Sequence, residues 1–493
     1  MAQRIEITTP VTLDDYERLA QLTAQVRELR AEAQQIVPAL EGRTLWMVNS
    51  TAQGGGVAEM LPTMVPLLRD LGVRTEWAVI ETDEAAFFSL TKRIHNLIHG
   101  EGDPRLTPGD HDVIEAVNRR NAAEMRDWFR PGDFLAVHDP QPMPLAALLG
   151  PELGLHCIWR CHIGLDEANE QTRAAWDFLR PYAAPYEYAV FSAPEYIPDY
   201  FSTRAKVIYP AVNPLTDKNR ELSVHKIVGV LANGALVSSP GPVLTPPFEQ
   251  VAERLLPNGT FAPANMVEDI GLLHRPIITQ ISRWDRLKGF PELMRAFALL
   301  KEQLHDPSHL GPLDRHRLEL ARLVLAGPDP ASVADDPEGR EVLEELISVY
   351  RGLDPAIQRD IAVVALPMRS ARENALMVNA IQRTSSVIAQ NSLREGFGLT
   401  ITEAMWKGVP VLSNRRAVGP RQQIRAGLDG CLIDDPRDIP ALARAMGRML
   451  SSPEERVAWG NSAQRRAYEQ FLIFAQLGRW LRLLSEAVRG EPG

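Results

Sequence analysis

The stretch that decides the fold runs Arg394-Glu395-Gly396-Phe397-Gly398-Leu399-Thr400-Ile401-Thr402-Glu403. A short apolar run at 386–390 precedes it, and a run with helical spacing follows it and ends at Gly408, before a second apolar run at 409–412. This order predicts a strand, a glycine turn and the N-terminus of a helix. Backbone N–H groups in a first helical turn attract anions and hydroxyls, and glycines let a ligand approach the main chain closely.

Two carboxylates flank this predicted turn. Glu395 lies at the start of the turn, and Glu403 lies about two helical turns further on, near the same face. There its carboxylate could accept hydrogen bonds from a diol. An ordinary loop with two solvated glutamates is the alternative, because glutamate is common in helices. The internal Gly-Phe-Gly and the flanking strands favour a site for phosphate, sugar hydroxyls and a ribose.

Length and composition restrict the class of protein. A chain of 493 residues exceeds what one hydrophobic core usually supports, so we expect two domains. Its net charge of −10 argues against nucleic acid or an anionic membrane as the main partner. Three cysteines, Cys157, Cys161 and Cys431, cannot form a disulfide framework in a chain this long. With no apolar segment of a secretory signal and no apolar run of ~20 residues, we expect a soluble cytoplasmic enzyme.

Apolar runs alternate with helical patterns along both halves of the chain, which predicts an α/β fold with doubly wound parallel sheets. The segment 237–263 is rich in Pro, Ser and Gly, so we interpret much of it as an insertion outside the core. The predicted strands lie at 45–49, 75–80, 134–138, 157–160, 188–191, 277–281, 323–327, 361–366, 387–390 and 409–412.

A glycine-rich loop follows the first predicted strand. Gly54, Gly55 and Gly56 stand between that strand and a helix, where backbone amides cradle phosphate. A dinucleotide-binding fold also has such a loop, and Glu81 after the second strand fits it. However, Glu59 stands where its fingerprint needs glycine. A structural turn without a ligand is the third interpretation.

Two cations follow the strand at 277–281. Arg283 and Lys288 lie at the carboxyl end of this strand, where ligands bind in open α/β sheets. They could neutralise a diphosphate leaving group, although a solvated basic turn is the alternative. Since no Asp-x-Asp motif follows an apolar strand, we expect no metal ion to bridge the nucleotide to the protein. Cationic side chains and a helix N-terminus must then bind the phosphates instead.

Polar residues also end two strands of the first half, in His138-Asp139-Pro140-Gln141-Pro142 and Trp159-Arg160-Cys161-His162. A zinc site is unfavourable here, because Cys157 and Cys161 lie along one strand and no second ligand pair follows at the usual distance. His162, at a strand end before Gly164, is the better candidate for contact with a sugar.

The element from Glu395 to Glu403 resembles the E-x7-E element of retaining GT-B glycosyltransferases, group 1 or family 4 in type. With the other motifs, over roughly residues 40–475, the resemblance narrows to the trehalose-forming glycosyltransferases, the trehalose synthases and their trehalose phosphorylase relatives. Those other motifs are 53–59, 138–142, 159–162, 213–219 and 280–285.

The resemblance implies a GT-B fold, in which two Rossmann-like domains with parallel sheets face a central cleft. It implies an acceptor-binding domain at 1–215 and a nucleotide-sugar-binding domain at 216–470, with 237–263 as an inserted loop. The final segment, 471–493, would be a helix that returns to the first domain.

The resemblance also implies roles for individual residues. The catalytic group would comprise Glu395, which holds the donor sugar, His162, which hydrogen-bonds the donor hexose, and Arg283 and Lys288, which bind the diphosphate. Glu403 would bind the ribose, and the acceptor would contact Asp139, Gln141, Trp159 and Arg160. The remaining donor-binding residues would be Gly54, Gly55, Gly396, Phe397, Gly398, Leu399 and Thr400.

The reaction implied is retaining transfer of glucose from ADP- or UDP-glucose to glucose, which gives α,α-trehalose without a cofactor or metal. Four alternatives stay open: a trehalose phosphorylase using glucose 1-phosphate, a retaining hexosyltransferase with another acceptor, a sugar-nucleotide epimerase, and a non-catalytic sugar-nucleotide binder. The expected partners are small molecules, with neither nucleic acid nor membrane, and a homodimer is left open.

Overall fold

The computed structural model describes residues 2–53, 56–239, 241–266, 268–304, 311–329 and 337–490. These form two compact units. Unit 1 comprises the described part of 1–210 and 473–493, and unit 2 comprises that of 211–472. Each unit carries one sheet flanked by helices, so the predicted α/β alternation is confirmed in both.

Unit 1 has a seven-stranded sheet in the order β1-β3-β2-β4-β5-β6-β7. Its strands are parallel except β1, which pairs antiparallel with β3 at one edge. The strands are β1 Gln3–Arg4, β2 Leu45–Asn49, β3 Thr75–Val79, β4 Phe134–His138, β5 His156–Arg160, β6 Tyr188–Phe191 and β7 Ala205–Val207. The helices before the crossing to unit 2 are α1 Leu13–Glu17, α2 Thr23–Ile36, α3 Gly56–Asp70, α4 Ala85–Ile98, α5 Pro108–Met125, α6 Leu145–Leu153 and α7 Glu170–Leu179.

Unit 2 has an eight-stranded sheet in the order β15-β14-β13-β10-β11-β12-β8-β9. Strands β10 to β15 are parallel, and β12 is buried along its whole length, as expected where helices cover both faces of a sheet. The strands are β8 Glu253–Leu255, β9 Phe261–Pro263, β10 Ile277–Ile281, β11 Arg322–Pro328, β12 Ile361–Leu366, β13 Val387–Ala389, β14 Val411–Asn414 and β15 Gly430–Ile433. Its helices are α8 Val224–Asn233, α9 Phe290–Gln303, α10 Pro312–Leu320, α11 Pro337–Arg351, α12 Pro355–Gln358, α13 Ala371–Thr384, α14 Leu399–Trp406, α15 Val418–Gln423, α16 Ile439–Ser451 and α17 Pro453–Gln470.

The segment 237–263 departs from its prediction as an excursion outside the core. It contributes β8 and β9, which pair antiparallel at the edge of the unit 2 sheet. Ala252 and Leu255 are 0% and 2% exposed, so part of the segment is core. Its proline content hid these strands from sequence patterns, yet an edge strand tolerates proline, as at Pro263.

The last helix, α18 (Ile473–Arg489), belongs to unit 1 although it follows unit 2 in the chain. It packs against α2 and α3, and Phe474 meets the ring of Tyr16 edge to face at 5.2 Å between centroids. This is the return to the first unit that the family resemblance implied. Within the described residues, α18 and the other helices are all too short or too polar to cross a lipid bilayer.

Candidate active site

The turn before α14 is built around Gly398. This residue caps the helix with a φ of 81°, in the left-handed region that side chains other than glycine rarely adopt. A Cβ at this position would lie 2.9 Å from Cγ of Glu395. Glycine is therefore required both for the backbone conformation and to make room for the Glu395 side chain.

Three donors converge on one oxygen of Glu395. Its Oε2 accepts hydrogen bonds from Lys288 Nζ at 2.8 Å, Ser392 Oγ at 2.8 Å and Gln390 Nε2 at 3.1 Å. Among the described residues, none donates a hydrogen bond to Oε1 of Glu395. We call these four residues the carboxylate network, and it fixes the orientation of Glu395 before any ligand arrives.

The main chain around Lys288 is held by contacts with Gln280 of β10 and with Asn391 after β13. It ends the short 3₁₀ turn Arg286–Lys288, and its carbonyl accepts a hydrogen bond from Gln280 Nε2 at 2.7 Å. The next residue, Gly289, has a φ of 61°, and a Cβ there would lie only 2.3 Å from the carbonyl oxygen of Asn391. The side chains of Lys288 and Glu395 are only 16% and 12% exposed, so the pair is largely desolvated.

Arg283 lies outside this network. Its side chain is 76% exposed, and its ion pair with Asp285 is long, at 3.5 Å. Such exposed pairs contribute little and leave the side chain free to reorient. The structure therefore brings Lys288 to Glu395 but does not bring Arg283 there.

The other residues of the turn differ in their exposure to solvent. The Phe397 side chain is 8% exposed and packs edge to face with Phe471, so it faces the interior of unit 2. The exposed Gly396 and the half-exposed Leu399 and Thr400 lie at the N-terminus of α14, where first-turn N–H groups point outward.

Glu403 belongs to a separate cluster. Its Oε1 lies 3.8 Å from Lys218 Nζ, and Lys407 donates to Asn219 Oδ1 at 3.0 Å and to the Glu403 carbonyl at 3.3 Å. Burial lowers the pKa of Lys407 to about 7, against the opposing effect of Glu403. Sequence analysis included Lys218 and Asn219 in the motif at 213–219 but did not place them beside Glu403, because they lie far from it along the chain.

In unit 1, Asp139 follows β4 in a left-handed conformation with a φ of 64°. Its Oδ1 accepts a hydrogen bond from the backbone N–H of His162 at 2.9 Å, and its own N–H donates to the Arg160 carbonyl at 2.8 Å. Burial raises the pKa of Asp139 to about 6, although the His162 N–H and the charge of Arg160 act in the opposite direction. The structure thus brings together two residues that the sequence placed on different strands.

His162 also contacts His138, the last residue of β4. The distance from His138 Nδ1 to His162 Nε2 is 3.1 Å. Burial, followed by the charge of Arg160, lowers the pKa of His138 to about 3 and lowers that of His162 well below its usual value. Both rings are therefore neutral at pH 7. We call His138, Asp139, Arg160 and His162 the histidine network.

Two predicted acceptor contacts need correction. Trp159 is 0% exposed and its Nε1 donates to the Asp139 carbonyl at 3.0 Å, while its ring packs among aromatic side chains of unit 1. Arg160 is 1% exposed, and its Nη2 donates to the Ile208 carbonyl at 2.7 Å. Because both side chains point into the interior of unit 1, they cannot contact an acceptor directly. Trp159 instead hydrogen-bonds the main chain of Asp139, and the charge of Arg160 acts on the Asp139 carboxyl group.

The remaining predicted residues stay predictions. Gln141 is half-buried, and its Oε1 has no hydrogen-bond partner among the described residues. Gly54 and Gly55 lie outside the described residues, and α3 begins directly after them at Gly56. Over the described parts of the chain, no cluster of three or more His, Cys, Asp or Glu side chains suits a metal ion.

Comparisons with known proteins identify the family of the chain. Residues 47–198 match the family model for the N-terminal domain of trehalose synthase, and residues 372–466, which contain Glu395, match that for glycosyl transferases group 1. A trehalose synthase of Pyrococcus horikoshii is 33% identical over 478 residues, which cover 96% of each chain. The chain belongs to the trehalose synthase family. Another member, from Rubrobacter xylanophilus, is 33% identical over 93% of this chain and 94% of its own.

A solved structure shows the same fold. The α,α-trehalose-phosphate synthase (UDP-forming) of Burkholderia vietnamiensis superposes with a TM-score of 0.62 at 16% identity, over 91% of this chain and 98% of that one. This similarity confirms the predicted GT-B type of α/β fold, and the 33% identical trehalose synthases confirm the predicted family. As a member of the trehalose synthase family, the protein is a trehalose-related glycosyltransferase.

Proposed function

We propose that this glycosyltransferase transfers glucose from a nucleoside-diphosphate glucose to free glucose, retains the anomeric configuration and forms α,α-trehalose without a metal ion. The observation that carries the proposal is the Lys288–Glu395 pair. It sets a largely buried ammonium and a largely buried carboxylate 2.8 Å apart beside the N-terminus of α14. The cation and the helix N-terminus can bind the negative charge of a diphosphate, and the carboxylate can accept hydrogen bonds from sugar hydroxyl groups.

In this proposal Lys288 binds the diphosphate without leaving Glu395. An ammonium group has three N–H donors, and Glu395 occupies one of them. The other donors reach the phosphate oxygens, together with first-turn N–H groups of α14. The exposed Arg283 folds over the diphosphate when the donor binds, which its loose pairing with Asp285 allows.

The sugar of the donor is held by Glu395 Oε1, which accepts hydrogen bonds from hydroxyl groups while Oε2 stays anchored. In unit 1, His162 contacts the donor hexose and Asp139 accepts hydrogen bonds from the acceptor glucose. Glu403 accepts hydrogen bonds from the ribose, and its contact with Lys218 at 3.8 Å is long enough for the ribose to compete with it.

The chemical step breaks the bond between the anomeric carbon and the phosphate oxygen, and the bonding electrons leave with the diphosphate. An acceptor hydroxyl oxygen forms the new bond on the same face of the oxocarbenium-like centre. Its proton passes to the leaving phosphate oxygen. Lys288 and the helix terminus stabilise the charge that grows on the diphosphate. No carboxylate acts as a nucleophile, which distinguishes this route from that of retaining glycosidases.

Product analysis by NMR tests the proposal. The protein is incubated with glucose and, in separate samples, ADP-, UDP- and GDP-glucose. Formation of α,α-trehalose with release of the nucleoside diphosphate is the expected result. Release of the nucleoside diphosphate with free glucose as the only sugar product would mean that the acceptor is wrong. In a further sample that contains trehalose and inorganic phosphate, consumption of trehalose with formation of glucose 1-phosphate would replace the proposal with a phosphorylase. The homodimer stays a prediction that light scattering can test.

A further inference from the structure

We propose that His138 is a positioning residue that fixes His162 as a hydrogen-bond donor. It does so by donating its own Nδ1–H to His162 Nε2, which keeps the proton of His162 on Nδ1. The role of His162 in sugar binding rests on the proposed function, whereas its tautomer does not.

The inference starts from the geometry of the pair. The 3.1 Å separation of His138 Nδ1 and His162 Nε2 is a hydrogen-bond distance. A neutral imidazole carries one N–H donor and one acceptor nitrogen, so one of the two rings donates in this contact and the other accepts. Both rings are neutral, because desolvation and then the charge of Arg160 lower the pKa of each imidazole. Only two arrangements of the protons are therefore available.

The surroundings of His138 distinguish these arrangements. Its ring is 0% exposed, and its Nε2 has no hydrogen-bond partner among the described residues. If His162 donated, the proton of His138 would lie on Nε2 as a buried, unpaired N–H. If His138 donates, Nε2 carries a lone pair instead. Buried N–H donors without a partner are rare in proteins, which favours the second arrangement. Arg160 is the direct neighbour of His138 across the β4–β5 pair, and its positive charge disfavours a cationic His138.

The consequence concerns what His162 presents. Its backbone N–H is used by Asp139, and its carbonyl accepts from Ser192 Oγ at 3.4 Å. With Nε2 taken by His138, only Nδ1–H remains, and no described residue accepts a hydrogen bond from it. This preset donor requires an acceptor atom from the ligand, such as a hydroxyl oxygen of a sugar, and does not accept a hydrogen bond in return.

NMR of the full chain labelled with ¹⁵N-histidine tests the tautomer without any substrate. The signals of His162 are assigned from their loss in His162→Gln. We expect protonated Nδ1 and unprotonated Nε2 on His162, and a change toward the Nε2–H form in His138→Phe. His111→Phe is the matched control, because His111 also hydrogen-bonds through Nδ1, to Tyr182 at 2.7 Å, in the same unit. An Nε2–H form in the wild type, or no change in His138→Phe, would overturn the inference.

Kinetics add a second readout. We expect His138→Phe to lower kcat/KM for the donor about tenfold, as for loss of one oriented hydrogen bond. His138→Asn should restore most of this loss, because its amide can donate to His162 Nε2. Thermal unfolding identifies any variant that fails to fold, and the asparagine variant then decides the outcome. Equal loss in both folded variants would contradict the role, whereas absence of turnover with every donor would reject the proposed function and leave the NMR result intact.

Discussion

The carboxylate network of unit 2 and the histidine network of unit 1 occupy equivalent positions in their sheets but differ in the charge of their central groups. Both lie where parallel strands end and polar side chains meet. In unit 2 the central groups are an ion pair, Lys288 and Glu395, which are 16% and 12% exposed. In unit 1 the two histidines are neutral, and the Asp139 pKa is raised to about 6. The two networks therefore differ in the groups that meet directly: an ion pair beside the proposed diphosphate site of unit 2, and two neutral imidazoles beside Asp139 in unit 1.

The largest expected effect comes from removing the buried cation. Lys288→Met should lower kcat by about 10²–10³-fold, because charge developing on the diphosphate loses its fixed partner. Arg283→Met, which removes an exposed cation, should cost about tenfold or less. Steady-state kinetics with the donor that gives turnover measure both. An equal or larger effect at Arg283 would mean that burial does not decide which cation matters.

The same variant also tests the pair as a structural element. Lys288→Met leaves Glu395 largely buried without its cation, so the free energy of unfolding should fall by about 3 kcal/mol. Arg315→Met is the matched control, since the Arg315–Glu319 pair of the same unit is 41% and 46% exposed and its loss should change stability by less than about 0.5 kcal/mol. Urea unfolding of both variants gives the comparison, and similar losses would argue against a desolvated Lys288–Glu395 pair.

Glu403→Ala is expected to have the next largest effect. Loss of a charged acceptor for the ribose should raise KM for the donor about 10- to 100-fold, with KM for the acceptor unchanged. Glu344→Ala, at an exposed glutamate of unit 2, serves as the control. Unchanged donor affinity in Glu403→Ala would remove Glu403 from the ribose role and leave its contact with Lys218 as a structural one.

The pH dependence of the wild type tests the histidine network. If the ionised Asp139 binds the acceptor, kcat/KM for the acceptor should rise with pH through about 6, with a value at pH 5 about tenfold below that at pH 7. Asp139→Asn should abolish this rise. A wild-type profile that stays flat between pH 5 and pH 7 would mean that Asp139 does not act through its charge.

Stability should follow the opposite direction. The folded pKa of Asp139 is raised from 3.8, so folding favours the protonated carboxyl. Its contribution is fully present below about pH 4 and is lost as pH rises through 6. Relative to Asp139→Asn, the wild type should therefore lose about 3 kcal/mol of stability over this window, as urea unfolding at several pH values can measure.

The smallest effect is expected from Ser392→Ala. Lys288 and Gln390 still hold Glu395 Oε2, so kcat/KM for the donor should fall only about three- to tenfold. Ser462→Ala is a matched control, because Ser462 donates to the buried carboxylate of Asp429 at 2.8 Å elsewhere in unit 2. A loss as large as that of Lys288→Met would show that the hydroxyl, not the cation, fixes Glu395.

Sequence patterns predicted the parts of the site that are formed by residues consecutive in the chain. The glycines and apolar runs around Glu395 predicted a strand, a turn and a helix start, and the structure has β13, Gly398 and α14 in that order. The turn is local because a left-handed residue and a helix N-terminus need only a few consecutive residues. The buried state of Trp159 and Arg160 was missed, since a parallel strand covered on both faces hides every side chain until the chain leaves the sheet.

The sequence by itself determined the fold class, the family and the elements that carry each polar group. Only the tertiary structure decided which groups meet. Lys288 and Glu395 are 107 residues apart, and they meet because β10 and β13 are neighbours in the unit 2 sheet. His138 and His162 meet because β4 and β5 pair in register. Strand order and register arise from packing over the whole unit, so no pattern along one segment could have indicated the ion pair or the contact between the two histidines.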